Sequence, residues 1–472
     1  MKYLWHKVYI LFTLAACTFL FVGMLILPEQ ENQEKRELAL LPRPIINETI
    51  NLNFPNEAES YLNEHFAMRS AITTINASLY NYAFNESTSE KVIVGKDNMF
   101  FFSETLDDYF GINILMDEQI NRITRVLQLM EESAMEDDVP FYIAIAPNKA
   151  SLYGDYMPMR YRKVSDQRNV LRLGKSAENV GLHWVDLDSE LKKHKKDTML
   201  YYYRDSHWNS IGAGYAAAAL LREMDMEQEA LQLVSLPISK EGDWEGDLAT
   251  MLLPTRHLKE EDYSIEGLPA YSYIKNVRRM DEMEIRTSSN YNEESLLVYR
   301  DSFGNALIPI LSGYFGEIKY TRAQPYPHYE ANDYDAVVLE IAERNIPRLL
   351  DRAPMMEAPL REFSGEVEIL DSKDSRVFCE EGLYFYHIYG EIDRSLLKDD
   401  DIVVWAKIED EWRECFPILE SAIRKEENED SPAGFSFYTE IEPEKSVKLL
   451  VFCGIEKFQL ELDLEWIEEA DS

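Results

Sequence analysis

The distribution of apolar residues divides the chain into three parts. An unbroken apolar run occupies residues 8–27, and a charged, proline-containing stretch follows it up to residue 60. From residue 61 to about 359, short apolar runs alternate with amphipathic segments of helical period. Beyond residue 359 the helical period is lost, and strand-like runs separated by turn residues continue to residue 472. The pattern predicts an N-terminal membrane segment, an α/β domain and a β-rich domain.

The first apolar run is twenty residues long, which is enough for a helix to cross the hydrocarbon core of a bilayer. Lysines precede the run and acidic residues follow it, so residues 1–7 are predicted to be cytoplasmic and the remainder extracytoplasmic. A cleaved signal peptide has a shorter apolar region, and a lipoprotein turns polar soon after its cysteine, whereas this run continues well past Cys17. We therefore predict an uncleaved single-pass signal anchor in the plasma membrane, with residues 28–60 as a stalk.

The middle part, residues 61–359, is predicted to be a mostly parallel, doubly wound α/β sheet, because buried strands alternate with helices. The strands are expected at residues 141–146, 182–187, 296–299, 317–321 and 336–341, and the helices at 117–134, 167–179 and 210–224. A hairpin is expected at residues 92–102. Ligands of such sheets bind beyond the carboxyl ends of the strands, so loops after the strands are the places to look for chemistry.

Residues 360–472 are predicted to form a separate β-sandwich, with a single helical stretch at residues 420–427 as the exception. Its aromatic residues offer either a platform for sugar stacking or ordinary core and cross-strand pairs, and the second interpretation is the more common one. Three of the four cysteines lie here, which allows at most one disulfide and leaves a free thiol.

Composition excludes several classes of partner and cofactor. The formal net charge of −38 argues against nucleic acid, and it disfavours a polyanionic glycan unless a local cationic patch is present. The cysteine spacing matches no zinc pattern, and His183 and His194 have no neighbouring ligand residues, so no metal site is expected. There is no glycine-rich phosphate loop, and no cofactor is predicted.

Two short motifs supply candidate chemistry. Residues 204–209 read Arg-Asp-Ser-His-Trp-Asn, and residues 300–304 read Arg-Asp-Ser-Phe-Gly. Together they contain a serine nucleophile (Ser302), an imidazole base (His207) and a carboxylate (Asp205), which are the groups that acyl transfer through a serine ester requires. Asp205 and His207 are two positions apart, so in an extended segment their side chains leave on the same side.

Ser302 is expected on a tight turn between a strand and an apolar helix at residues 305–311, with Gly304 allowing the bend. Amides at the start of that helix would then point at a developing oxyanion. The alternative is that Asp301 or Ser302 only caps the helix. His207 has an alternative of its own, as a hydrogen-bonded polar residue ahead of the next helix.

These motifs, in this order, resemble the SGNH hydrolase-like proteins of the alginate O-acetyltransferase AlgJ/AlgX and DHHW type. Ordinary SGNH esterases place the serine near the start, whereas here the Asp/His pair comes first, as in this group. Further matching pieces are Arg36-Glu37-Leu38-Ala39 with Pro42, Ala146-Pro147-Asn148-Lys149 ahead of Tyr153 and Pro158, and Glu340-Ile341-Ala342-Glu343-Arg344. The resemblance covers about residues 30 to 355. It implies a flavodoxin-like sheet, a Ser-His-Asp triad and acetyl transfer to or from a surface polysaccharide.

The expected function is a membrane-anchored O-acetyltransferase acting on a cell-surface or secreted polysaccharide. Asn148, Gly304 and Trp208 are the candidate oxyanion and substrate-binding residues beside the triad. By resemblance, the acetyl donor would be a separate membrane-bound O-acyltransferase. Hydrolysis by the same triad and a non-catalytic glycan-binding or assembly role stay open as alternatives. Because all three triad candidates precede Pro359, residues 30–359 are expected to retain turnover of a small acetyl ester.

Overall fold

The computed structural model describes residues 2–26, 38–46, 49–420, 423 and 433–467. The N-terminal part contains helix α1 (Lys2–Ile26), strands β1 (Ile45–Ile46) and β2 (Thr49–Ile50), and helices α2 (Phe54–His65) and α3 (Arg69–Phe84). Within α1, Trp5–Met24 is long and apolar enough to cross a membrane, a property that signal sequences share. The predicted stalk is partly structured, since it contains the β1–β2 pair and the start of α2. Its residues 28–37 and 47–48 lie outside the described residues.

The α/β region contains eleven strands and nine α-helices among the described residues. The strands are β3 (Val92–Val94), β4 (Phe100–Phe102), β5 (Phe141–Ala146), β6 (His183–Val185), β7 (Ile238–Glu245), β8 (Lys259–Ile265), β9 (Ser272–Tyr273), β10 (Glu284–Ser288), β11 (Ser295–Arg300), β12 (Glu317–Thr321) and β13 (Ala336–Ala342). The helices are α4 (Leu106–Phe110), α5 (Asp117–Met135), α6 (Lys149–Tyr153), α7 (Asn169–Asn179), α8 (Leu187–His194), α9 (Ser210–Glu223), α10 (Glu227–Ser235), α11 (Asp247–Leu252) and α12 (Ile308–Leu311).

The central sheet has the strand order β6-β5-β13-β11-β12-β10-β9. Strands β6 to β12 in this order are parallel, whereas at one edge β10 pairs antiparallel with β12 and β9 pairs antiparallel with β10. Counted from β11, the parallel part has the order 2-1-3-4-5, which is the flavodoxin-like order. The chain therefore enters this sheet at its fourth strand, β5, and this circular shift explains why the Asp205/His207 loop precedes Ser302 in the sequence.

Both faces of the sheet are covered, as a doubly wound arrangement requires. Phe141, Ile143 and Ile145 on β5 join one apolar core with residues of α5 and α7. The intervening residues of β5, such as Tyr142 and Ala144, join a second core with residues of α8 and α9. Small residues on α9 are fully buried, so this helix packs closely on the sheet. The predicted mostly parallel α/β sheet is confirmed.

Two local expectations need correction. The predicted strand at residues 182–187 is only His183–Val185, because Asp186 caps α8 by accepting a hydrogen bond from the Ser189 amide. The predicted helix at residues 305–311 is a 3-10 turn, Phe303–Ala306, followed by the four-residue α12. The edge strands β9 and β10 and the β7–β8 hairpin escaped prediction, because they are short or mostly exposed and so have no continuous apolar run.

The C-terminal part forms two facing sheets. Its strands are β14 (Leu360–Arg361), β15 (Glu368–Ile369), β16 (Arg376–Glu381), β17 (Tyr386–Glu391), β18 (Ile402–Ile408), β19 (Glu411–Glu414), β20 (Gly434–Thr439), β21 (Ser446–Cys453), β22 (Glu456–Asp463) and β23 (Glu465–Trp466). The sheet orders are β14-β19-β18-β21-β22-β15 and β20-β17-β16-β23, and residues of both contribute to one apolar core. Cys379, Cys415 and Cys453 are all buried free thiols. Most of the predicted helix at 420–427 lies outside the described residues.

This part packs against the α/β region. Phe385, Phe416, Ile418 and Tyr438 belong to the same apolar core as α5, α7 and one face of the central sheet. The Arg125 guanidinium donates to both carboxylate oxygens of Glu414 at 2.7 Å. The predicted separate domain therefore shares an apolar core with its neighbour and pairs its buried Glu414 carboxylate with the half-buried Arg125.

Candidate functional site

The two motifs found in the sequence meet at the carboxyl edge of the central sheet. His207 Nε2 lies 2.8 Å from Ser302 Oγ, and His207 Nδ1 lies 2.7 Å from Asp205 Oδ1. Asp205 is buried, the His207 side chain is 22% exposed and Ser302 is half-buried. The serine and imidazole are thus reachable from solvent while the carboxylate is not. This is the arrangement that a Ser-His-Asp triad requires.

Ser302 is held by the residue before it. The Asp301 carboxylate accepts hydrogen bonds from the Phe303 amide at 2.8 Å and, across the sheet, from the Ala342 amide at 2.7 Å. Asn345 Nδ2 donates to the same carboxylate at 2.6 Å. Asp301 therefore fixes the turn after β11 to the end of β13. Of the two residues in the capping alternative, Asp301 binds the amide of the turn, whereas the Ser302 hydroxyl faces His207.

The Asp205 carboxylate is oriented by donors that the sequence motif did not reveal. Its Oδ2 accepts from Trp244 Nε1 at 2.9 Å and from the Asp247 amide at 3.0 Å. Its Oδ1 accepts from the His207 amide at 2.9 Å, in addition to the imidazole. The Trp244 ring stacks on Tyr202 with centroids 4.8 Å apart. With every lone pair engaged, Asp205 has one orientation, and the imidazole takes its tautomer from that orientation.

Asp205 and His207 shift each other's pKa. Burial raises the pKa of Asp205. The neighbouring His207 and hydrogen bonds from the His207 and Asp247 amides lower it by more, so the net pKa is well below its ordinary value. Burial lowers the pKa of His207, whereas the Asp205 carboxylate and its hydrogen bond raise it, and the net pKa is above the ordinary 6.5. A raised imidazole pKa makes His207 a stronger base for the serine proton.

A second carboxylate, Asp247 at the start of α11, lies beside the pair. It accepts from the Ser206 amide at 2.8 Å and from Ser206 Oγ at 2.7 Å, and its Oδ2 is 3.8 Å from His207 Nδ1. Ligand atoms of Asp205, His207 and Asp247 lie within 4.8 Å of one another, which is close enough for a metal ion. The 2.7 Å contact between His207 Nδ1 and Asp205 Oδ1 has the length of a charge-assisted hydrogen bond. A metal ion bound there would compete with this hydrogen bond for His207 Nδ1.

The Lys149 side chain holds the main chain of the Asp205/His207 loop. The buried Lys149 ammonium donates to the carbonyls of Phe100, Tyr203 and Asp205 at 2.6, 2.8 and 3.1 Å. Burial lowers the pKa of Lys149 to about 7, against the opposing effect of Glu260, Asp205 and Asp247. In the sequence, Lys149 is only part of a motif that carries the family resemblance, and its three carbonyl partners required the fold.

The other three predicted site residues, Trp208, Asn148 and Gly304, contact groups outside the hydrogen-bond chain of Ser302, His207 and Asp205. Trp208 is fully buried and donates its indole N–H to the Phe303 carbonyl at 3.0 Å, so it supports the Ser302 turn. The predicted substrate-binding role of Trp208 stays a prediction, and a direct contact would require this buried indole to become accessible. Asn148 is buried, and its Nδ2 donates to Asp108 Oδ2 at 2.9 Å. Gly304 lies against the buried Glu340 carboxyl, and a Cβ at Gly304 would be 2.8 Å from Glu340 Oε2.

Part of the chain matches a known protein family. Residues 92–281 match the family described as the SGNH hydrolase-like domain of the acetyltransferase AlgX. This segment includes Asp205 and His207 and ends before Ser302. The resemblance to the AlgJ/AlgX-type SGNH hydrolase-like proteins is confirmed.

Individual relatives are distant. The probable alginate O-acetylase AlgJ of Pseudomonas syringae pv. tomato is 26% identical over 211 residues, which are 43% of this chain and 51% of that protein. The probable alginate O-acetylase AlgJ of Pseudomonas putida is 23% identical over 171 residues, 36% of this chain and 43% of that protein. The chain thus matches about half the length of these curated relatives. The solved O-acetyltransferase domain of Pseudomonas putida AlgJ has 16% identity and a TM-score of 0.37, covering 54% of this chain and 92% of that one.

Proposed function

We propose that this protein is a membrane-anchored extracytoplasmic O-acetyltransferase that modifies a cell-surface or secreted polysaccharide. Ser302 is the nucleophile, His207 the base and Asp205 the orienting carboxylate. The observation behind the proposal is the hydrogen-bond chain from Ser302 Oγ through His207 to the buried Asp205, with distances of 2.8 and 2.7 Å. The names of the relatives, probable alginate O-acetylases, support acetyl transfer and a polysaccharide substrate.

The reaction has two halves. In the first, Ser302 Oγ attacks the acetyl carbonyl carbon and its proton passes to His207 Nε2. The bond between the acetyl carbon and the donor's leaving atom then breaks, and the leaving group takes the proton from His207. In the second half, a sugar hydroxyl attacks the carbonyl carbon of the acetyl-serine and gives its proton to His207. The bond between the acetyl carbon and Ser302 Oγ then breaks, and Ser302 Oγ takes the proton from His207. Asp205 stays ionised throughout and stabilises the imidazolium.

Transfer and hydrolysis differ only in the acceptor of the second half-reaction. A sugar hydroxyl gives an O-acetylated polysaccharide, whereas water gives free acetate. The acetyl donor in the proposal is a separate membrane-bound O-acyltransferase that passes acetyl groups to the outer face. The candidate membrane helix Trp5–Met24 would keep the site near that donor.

The test uses the full chain in detergent or nanodiscs. An activated acetyl ester should acetylate Ser302 in a rapid burst, detected by peptide mass spectrometry, and Ser302→Ala should abolish both the burst and the turnover. Ser235→Ala is a matched control, because Ser235 is an exposed residue at the end of α10. Adding a polysaccharide should divert acetyl groups from acetate to the polymer. A burst with acetate as the sole product, whatever acceptor is added, would favour an esterase, and no burst would contradict the proposal.

A further inference from the structure

Arg344 lies next to the reacting groups without being part of the triad. It follows β13 at the carboxyl edge of the sheet, two residues after Ala342, whose amide is bound by Asp301. Its guanidinium carbon is 5.3 Å from the ring centroid of Phe303 and 5.7 Å from that of Phe102. The His207 ring is 4.8 Å from the same Phe303 ring. Arg344 and His207 therefore both contact the side chain that directly follows Ser302.

The Arg344 guanidinium has no partner among the residues that the structure describes: none accepts a hydrogen bond from it or forms an ion pair with it. Its neighbour Glu343 is fully engaged, since Arg168 donates to both of its carboxylate oxygens at 2.7 and 2.8 Å. Two aromatic rings hold the planar guanidinium in place without using its N–H groups. A half-buried cation with free donors beside a nucleophile is suited to an anion that forms during the reaction.

The other donors expected at this point are already used. Asn148 Nδ2 binds Asp108, and Gly304 lies against the Glu340 carboxyl on the inner side of the turn. Within the described ranges, the Ser302 amide is not bonded to any group. Among the described residues, the Ser302 amide and the Arg344 guanidinium, which lies over the Phe303 ring next to Ser302, are thus the donors that stay available.

We propose that the Arg344 guanidinium stabilises the oxyanion of the tetrahedral intermediate, together with the Ser302 amide. This inference rests on the proposed function. When Ser302 Oγ bonds to the carbonyl carbon of an acetyl ester, the π electron pair moves onto the carbonyl oxygen and the serine proton moves to His207 Nε2. Arg344 N–H groups donate to that oxygen until the electron pair returns and the leaving group departs with the proton from His207.

The experiment compares Arg344→Ala, Arg344→Lys and wild type on an activated acetyl ester and on its thiono analogue, in which sulfur replaces the carbonyl oxygen. Sulfur accepts hydrogen bonds weakly, so the analogue already lacks the stabilisation that Arg344 would give. Arg344→Ala should lower kcat on the oxygen ester about a hundredfold with little change in KM, as loss of one oxyanion donor does. The oxygen-to-sulfur rate ratio should fall by a similar factor. Arg344→Lys, which keeps a cation, should be intermediate in both.

Arg348→Ala is the matched control. Arg348 is exposed on the same turn, and this substitution removes the same charge. It should leave both rates and the rate ratio unchanged. A loss of activity in Arg344→Ala with an unchanged oxygen-to-sulfur ratio would mean a structural role and overturn the inference. Full activity of Arg344→Ala beside an active wild type would overturn it as well. If wild type neither turns over nor acetylates Ser302, the proposed function fails first and the role of Arg344 falls with it.

Discussion

At the residue scale, the three members of the hydrogen-bond chain should differ in their effect on catalysis. Ser302→Ala and His207→Ala should each remove nearly all activity on an activated acetyl ester, because either change disables the whole unit. Asp205→Ala should lose less, since the imidazole can still act in the wrong orientation part of the time. Steady-state kinetics with melting temperatures checks this. A large drop in the melting temperature of Ser302→Ala would instead support a capping role.

The pH dependence follows from His207, which must be neutral to accept the serine proton. Its pKa is raised above 6.5 by Asp205, so the acid limb of kcat/KM should have its midpoint above pH 6.5. Asp205→Asn removes the charge and should move that midpoint down, at much lower activity. An acid limb centred below 6.5 in wild type would contradict the role of His207 as base.

The same shifts predict the stability of the pair. The folded pKa of Asp205 is lowered below 3.8, so its contribution is present above pH 3.8 and is lost as the pH falls through its folded pKa. The folded pKa of His207 is raised above 6.5, so its contribution is present below pH 6.5 and is lost as the pH rises through its folded pKa. The pair should therefore stabilise the fold most between pH 3.8 and 6.5, where activity is already falling.

Sequence reasoning found Asp205, His207 and Ser302, because a nucleophile, a base and a carboxylate stood in two recognisable motifs. It missed Trp244 and Asp247, which bind the Asp205 carboxylate from a hairpin and a helix start about forty residues further along. Nothing in the local pattern marks these two as partners. The position of Trp208 also required the fold, since a tryptophan beside His207 suits both a substrate wall and a buried support.

At the scale of elements, the β7–β8 hairpin is a structural part of the site. It brings Trp244 to Asp205, and Gly246 after it lets the chain pass closely, because a Cβ at that position would be 2.2 Å from the Arg204 carbonyl oxygen. The hairpin's strands are mostly exposed, so their sequence has no alternation of apolar and polar residues that would predict them. Strands of the central sheet were predicted well because burial on both faces gives them continuous apolar runs.

Trp244→Phe tests the hairpin's contribution. Phenylalanine can keep the stacking on Tyr202 but removes the N–H donor to the Asp205 carboxylate, and a hydrogen bond to a charged group contributes about 1.5–3 kcal/mol. We expect kcat to fall about tenfold or more with KM little changed. Trp405→Phe is the control, since the buried indole N–H of Trp405 has no partner among the described residues. Unchanged kcat in Trp244→Phe would show that the hairpin only covers the loop.

At the scale of the whole molecule, the membrane prediction depends on one helix. Trp5–Met24 satisfies length and composition for a span, and a signal sequence would satisfy them too. The flanking charges and the length of the apolar run favour retention over cleavage. We expect the mature protein to begin at or next to Met1 and to resist extraction by high salt and alkaline carbonate. A mature N-terminus near Cys17 or Pro28 in mass spectrometry would contradict the anchor.

The relation between the two large parts of the chain is the point where sequence periodicity misleads most. Loss of the helical period after residue 359 marks a change of architecture. The pattern alone predicts the boundary of a separate domain at this point. Apolar side chains beyond that boundary nevertheless complete the core under α5 and α7. Arg361 also donates to Glu414 at 2.7 Å and pairs with Glu132 on α5. Periodicity reports which face of an element is buried but not which partner buries it.

A chain truncated to residues 30–359 should therefore be less stable than the sequence suggested. It would uncover the apolar surface that Phe385, Phe416 and Ile418 now cover, and each such side chain contributes roughly 1.5–3 kcal/mol when fully buried. It would also leave Arg125 without the Glu414 carboxylate. We expect a lower melting temperature and aggregation, with small-ester turnover surviving only in the fraction that stays folded. A matched full-length variant, Phe416→Ala, should destabilise the protein without touching the triad. If the truncated chain melts like the full-length protein and turns over the ester at the same rate, the two parts are energetically independent and the shared core contributes little.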